Sequence, residues 1–262
     1  MNINKHSVKV KDMTYIVGAK CTDGICLVGD TKVTIDGGTD YAYAKKIFSP
    51  VSTIVVGAAG ASGMYKTFQN RLIVKFQSIM QEKGSTYVIS TEKWELLAEE
   101  VIHDIAAEYG SEIVANSFVA IMATRVLPMP DLVRLTALGI PEPISEYSVI
   151  GHGEPYGSII LKTLWNRNMK MENFAKLGCF VMKYIQDMKL DNSVGIDEKL
   201  EEFPQVWYIP IIEAASIKPE NAARWWEIAP IKELSKEEVK TLMKDFDKPI
   251  RNLTKAIKKI KL

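Results

Sequence analysis

The stretch "MTYIVGAKCTDGICLVGDTK", residues 13–32, decides how this chain is read. Apolar and polar residues alternate over 14–21 and again over 24–31, with Thr22-Asp23-Gly24 between the two runs. Alternation is the period of a strand, and Asp-Gly between two such runs signals a hairpin. The pattern predicts a β-hairpin that starts abruptly at Thr14, behind the unpatterned tail "MNINKHSVKVKDM". A threonine at the head of one arm and Asp30 in the other are the first candidates for chemistry.

Outward from the hairpin, "KKIF" (45–48) and "STIVVGAA" (52–59) read as short strands, the second running into a glycine-rich turn. Met64, Phe68, Leu72, Phe76 and Met80 recur at helical spacing between Ala61 and about Lys83. A second helix opens at Thr91, carries Trp94, Leu97, Val101 and Ile105 on one face, and ends near Gly110. "SFVAIMATRV", "DLVRLTAL" and "ISEYSVIGHG" are strand-like; helical stretches at about 155–167 and 172–189 and the strand "QVWYIPII" follow. Strands and helices come in groups rather than in strict alternation, which points to antiparallel sheets covered by helices on their outer faces. Beyond Ala215 two polar helices are expected, broken at Pro249, the first opened by a capping box at Ser235 and Glu238. The last stretch is basic, with Arg251, Lys255, Lys258, Lys259 and Lys261, as a solvated or partner-docking helix would be. The chain thus divides into an extension or propeptide (1–13), a main domain (14–213) and a helical basic extension (214–262).

At 262 residues, 47% of them hydrophobic and 25% charged, the chain can bury one sizeable core and keep a soluble surface. A formal charge of +1 argues against nucleic-acid binding. No apolar run reaches the roughly 18 residues of a membrane span, and the first thirteen residues lack the apolar centre of a signal peptide. A cytoplasmic protein without membrane contact is expected. Cys21, Cys26 and Cys179 make no metal pattern with His6, His103 and His152. Cys21 and Cys26 flank the hairpin turn, where two thiols are expected over a disulfide in a reducing compartment. No metal or organic cofactor is expected.

A threonine hydroxyl is a poor nucleophile without a base. The α-amine of an N-terminal threonine, with a reference pKa of ~7.7–8.0, can be that base. A lysine ammonium beside it favours both the alkoxide and the neutral amine, an aspartate can hold that lysine, and a backbone N–H on a glycine turn can stabilise the tetrahedral oxyanion. Thr14, Asp30, Lys46 and Gly60 supply these parts. Chemistry alone cannot choose them from the many Asp, Lys and Gly residues present. "TIVVGAAGASGMYK" also has the strand–turn–helix form of a dinucleotide site. Its glycines are spaced G-x-x-G-x-x-G, however, and no acidic residue ends a strand about twenty positions on.

Over residues 14–72 the chain resembles the N-terminal half of a proteasome β-type subunit. It has the "T-x-x-V-G" opening, the "D-G" turn, "D-T-K-V-T", "K-K-I-F" and a small-residue turn before a long helix. A weaker likeness continues through "SVIGHGEPYG" and "KLDNSVG" to about residue 212. The resemblance implies an α+β fold, the four-layer αββα sandwich of N-terminal nucleophile hydrolases. It puts the catalytic roles on Thr14, Asp30, Lys46, Gly60 and Asp191. His152 stands where the family usually has serine, and either touches the site or packs in its turn. The family's serine after the later aspartate falls on Val194, with Ser193 beside it. The floor of the substrate pocket falls on Ala58 and its walls on Val33, Ala44 and Phe48, a set that favours bulky or uncharged side chains.

The family's activity implies cleavage of peptides or unfolded protein through a Thr14 ester, in a homo-oligomer that could be a ring. That requires loss of residues 1–13. Thr14 could attack the Met13 carbonyl, where active relatives usually have glycine, or translation could start at Met13 and expose Thr14 once the methionine is removed. The same ester could instead pass to an amine, as in archaeal connectases, which are proteasome-related protein ligases. A non-catalytic assembly subunit of the same fold is the remaining alternative.

Overall fold

The computed structural model of the chain describes residues 14–35, 40–84, 89–125, 130–136, 139–212, 230–244, 246 and 248–252. The opening stretch forms the expected hairpin, β1 (Ile16–Cys21) against β2 (Gly24–Gly29), with Ile16 opposite Gly29 and Cys21 opposite Gly24. Cys26 faces Ala19, so the two hairpin cysteines are not cross-strand partners, and all three cysteines are free and buried. Burial pushes the Cys21 and Cys179 thiols up to about 12, which makes them inert core residues.

A short hairpin, β3 (Lys32–Ile35) and β4 (Asp40–Tyr43), leads to β5 (Ile47–Val51) and β6 (Ile54–Gly60). The long helices α1 (Ser62–Lys83) and α2 (Thr91–Tyr109) follow, then α3 (Ser111–Ser117). Next come β7 (Phe118–Thr124), β8 (Asp131–Leu135), β9 (Pro141–Pro143) and β10 (Tyr147–Ile150). Helices α4 (Glu154–Leu164) and α5 (Met171–Asp187) precede β11 (Gln205–Pro210), and β12 (Lys232–Glu233) and α6 (Lys236–Met243) close the described chain. One sheet runs β10-β1-β2-β11-β12 and the other β5-β6-β7-β8-β9, all pairs antiparallel.

Three apolar clusters glue four layers together. Between the sheets, Ile16, Leu27 and Ile209 meet Ile47, Val55, Ile121 and Leu132. On the outer side of one sheet, Tyr15, Val17, Val28 and Val206 pack on Phe174, Cys179 and Met182 of α5. On the outer side of the other, Val56, Ala58 and Met122 pack on Phe68 and Leu72 of α1 and Trp94 and Val101 of α2. Both faces of the central strands are therefore covered, and β2 is buried along its whole length. This is the αββα sandwich. The alternation in the opening stretch sorts side chains between two apolar layers, not between core and water.

The C-terminal segment is partly built into these layers. The Ser235–Glu238 capping box opens α6 as the sequence predicts, and Val239, Leu242 and Met243 join the α5 cluster. The strand β12, which the polar character of the segment concealed, extends the first sheet. Helical residues 248–252 resume after α6, so Pro249 sits in a first turn, where its missing N–H costs nothing. Lys255, Lys258, Lys259 and Lys261 lie outside the described residues, as do residues 1–13.

Candidate active site

Thr14 stands immediately before β1 and is only 4% exposed. The turn after β10 grips its backbone: Gly153 N–H donates to the Thr14 carbonyl at 3.2 Å. Gly151, at φ +90°, passes so close that a Cβ there would lie 2.2 Å from the same oxygen, which only glycine permits.

The next residue ties the nucleophile strand to Asp30. Tyr15 N–H donates to Asp30 Oδ1 at 2.9 Å, and Asp30 N–H returns a bond of 2.9 Å to the Tyr15 carbonyl. The Asp30 carboxylate also accepts from Lys46 Nζ at 2.8 Å and from Gly195 N–H at 3.3 Å. Lys46 Nζ donates as well to the Lys32 carbonyl. With side chains 0% and 7% exposed, Asp30 and Lys46 form a buried ion pair. Full burial pushes the Asp30 carboxyl up, and Lys46 and the N–H groups of Tyr15 and Gly195 oppose that shift. The pair also spans the fold, since Asp30 directly follows β2 of one sheet and Lys46 directly precedes β5 of the other.

Gly60 ends β6 at φ +136°, where a Cβ would fall 2.0 Å from the Ser117 carbonyl oxygen. The turn expected to hold an oxyanion donor thus runs against the start of β7 with no room for a side chain. Asp191, His152 and Ser193 come together: His152 Nδ1 lies 3.1 Å from Asp191 Oδ2, and Ser193 N–H donates to Asp191 Oδ1 at 2.9 Å, joined by the Ser193 hydroxyl. His152 thus pairs with Asp191, while Val194 is buried in the α5 cluster.

Ala44 and Phe48 border a largely apolar cavity of about 460 Å³, together with Ile47, Tyr65, Lys66 and Trp207. Val33 and Ala58 are not among its lining residues: Val33 lies on β3, and Ala58 packs beside Phe48 in the core under α1 and α2. Three polar contributors escaped the sequence reading. Gly195 N–H and the Lys32 carbonyl act through the backbone, which residue type does not reveal. Gln205 betrays itself only as a lone polar residue heading an apolar strand.

No grouping of His, Cys, Asp and Glu suited to a metal ion occurs among the described residues. No helix among them is long and apolar enough to cross a membrane.

Two antiparallel sheets sandwiched by helices, with the nucleophile candidate entering the first strand, define the class: a proteasome-like N-terminal nucleophile hydrolase fold. The family model for the proteasome subunit matches residues 10–197, and the chain belongs to that family. Among solved structures it is similar to a mutant of Anbu from Hyphomicrobium sp. strain MC1, with a TM-score of 0.66 and 15% identity. That match covers 95% of this chain and 98% of the other, and so takes in more of the chain than the family model does. At that identity it speaks for the fold alone. No curated protein matches the chain.

Proposed function

We propose that the chain is a threonine peptidase whose working form begins at Thr14. The observation that carries this reading is the buried Asp30–Lys46 pair, bonded through Tyr15 N–H to the residue next to Thr14. A buried ion pair costs desolvation and is weak evidence of stability by itself, so a chemical use is the better reason for one here. In the proposed reaction the freed Thr14 amine takes the proton of its own hydroxyl, and Oγ attacks the peptide carbonyl. The Lys46 ammonium favours the alkoxide, Asp30 orients Lys46, and Gly60 N–H receives the oxyanion. Collapse expels the amine half of the substrate, protonated by the Thr14 amine, and water then cleaves the Thr14 ester. Asp191, His152 and Ser193 form a polar rim beside the turn that holds the Thr14 carbonyl. The apolar cavity at Ala44 and Phe48 supports a preference for bulky, uncharged side chains. Family membership supports a homo-oligomeric, ring-type assembly and a cytoplasmic setting.

The test is intact-mass analysis of protein from the native host, followed by digestion of a panel of peptides. A chain that starts at Thr14 and cleaves after bulky uncharged residues is expected. A mature chain that keeps Met1 or Met13 contradicts the proposal.

A further inference from the structure

Asp30 and Lys46 belong to different sheets, so something must fix the distance between those sheets where the pair spans them. Apolar packing does so loosely, because side chains can slide. Gln205 does so with directional bonds. It heads β11 opposite Gly29, the residue before Asp30, and is only 4% exposed. Its side chain alternates onto the same face as Trp207 and Ile209, which line the apolar layer between the sheets.

All four hydrogen-bonding positions of this buried amide are used. Gln205 Oε1 accepts from Lys46 N–H at 2.6 Å and Ile47 N–H at 2.9 Å. Gln205 Nε2 donates to the Ile47 carbonyl at 2.9 Å and to Glu233 Oε1 at 3.3 Å. The partners fix which end is oxygen, since a flipped amide would set N–H against N–H. β5 is the edge strand of its sheet, and here the glutamine amide takes the place of a neighbouring strand. On the other side, Ala58 N–H donates to the Lys46 carbonyl at 3.0 Å. The lysine's backbone is thus held from both flanks. Glu233, from β12 of the C-terminal segment and outside the family match, also grips Lys45 Nζ at 2.8 and 2.9 Å.

We propose that Gln205 is the positioning residue for Lys46, and that Glu233 couples the site to the C-terminal segment through it. The proposal rests on the reading of Thr14 and Lys46 given above. Its consequence is that displacement of β12 loosens the lysine without touching Thr14.

Two readouts test it in the mature protein that begins at Thr14 and keeps the C-terminal segment: reductive methylation of lysines mapped by mass spectrometry, and the rate of Thr14 labelling by an epoxyketone over a range of concentrations. In the unaltered protein Lys46 is expected to be protected and Lys45 reactive. Gln205→Leu should expose Lys46 and slow labelling by about tenfold or more at saturation, with half-saturation little changed, because a misplacement of about 1 Å can cost about 10²-fold. Gln205→Glu, which sets a carboxylate against Glu233, should do the same, and adding Glu233→Gln should restore part of the rate. Glu233→Gln alone, at a side chain 28% exposed, keeps the test open if the core variants fail to fold, and should slow labelling a few-fold. Unchanged Lys46 protection and labelling in these variants would overturn the proposal. Loss of all labelling in the unaltered protein would sink the proposed function instead, while methylation, which needs no Thr14 chemistry, still decides the role of Gln205.

Discussion

Two polar pairs flank the backbone around Thr14, and they are built differently. Asp30–Lys46 is sealed between the sheets, its carboxylate held by an ammonium and two backbone N–H groups. His152–Asp191 sits in turns, with side chains 42% and 11% exposed. Water can replace the partners of the second pair but not those of the first. The first is therefore a fixed part of the architecture, and the second is the more exposed of the two.

The sharpest way to break this contrast is to remove one member of the buried pair. Lys46→Ala leaves Asp30 uncompensated in the core and is expected to cost about 3–5 kcal/mol of stability, read from urea unfolding. Reaction at Thr14 should vanish with it. A variant that unfolds like the parent and still reacts would mean that the pair is neither structural nor chemical.

Acid titration probes the same pair more gently. Burial holds the Asp30 carboxyl above the ordinary carboxylate range. A carboxyl raised in the folded state contributes stability that is complete below its unfolded value of ~3.9 and is lost as pH rises through the folded value. The anion that orients Lys46 forms only above that folded value. Stability from this group and rate at Thr14 should therefore move in opposite directions across the window. Asp30→Asn should lower the rate and remove one acid limb of the pH profile, keeping the limb set by the Thr14 amine. An identical profile in the variant would assign that limb elsewhere.

The exposed pair should respond least. His152→Ser and Asp191→Asn each break a hydrogen bond whose histidine side is exposed, and stability should change by no more than about 1.5 kcal/mol. The rate at Thr14 should change by a few-fold in peptide-cleavage assays. A loss as large as that of Lys46→Ala would place His152 in the chemistry rather than on its rim.

This contrast also explains what the sequence disclosed. Asp30 and Lys46 lie just outside the ends of regular strands, where hairpin register and β5 fix their positions, so the family's motifs could be laid onto them once the resemblance was seen. The long helices announced themselves through Met64–Met80 and Trp94–Ile105, since a 3.6-residue period needs length to show. The hairpin β3–β4, the short helix α3 and the two-residue β12 are too brief for any period. His152 and Asp191 meet across turns whose sequence does not encode a contact 39 residues apart. Gly195 and the Lys32 carbonyl contribute backbone atoms, and Gln205 works through a contact 159 residues away from Lys46. The family resemblance supplied the joint assignment of Thr14, Asp30, Lys46 and Gly60, and the fold brings Asp30 and Lys46 together with the strand that Thr14 opens.

The most direct measurement is the site of covalent capture. An epoxyketone reacts fully only where one residue offers both a hydroxyl and a free amine. Incubated with the mature protein and mapped by peptide mass spectrometry, it should give a single adduct on an N-terminal Thr14, and Thr14→Ala should abolish it. Absence of an adduct from correctly folded protein, or an adduct that persists in Thr14→Ala, would contradict the account.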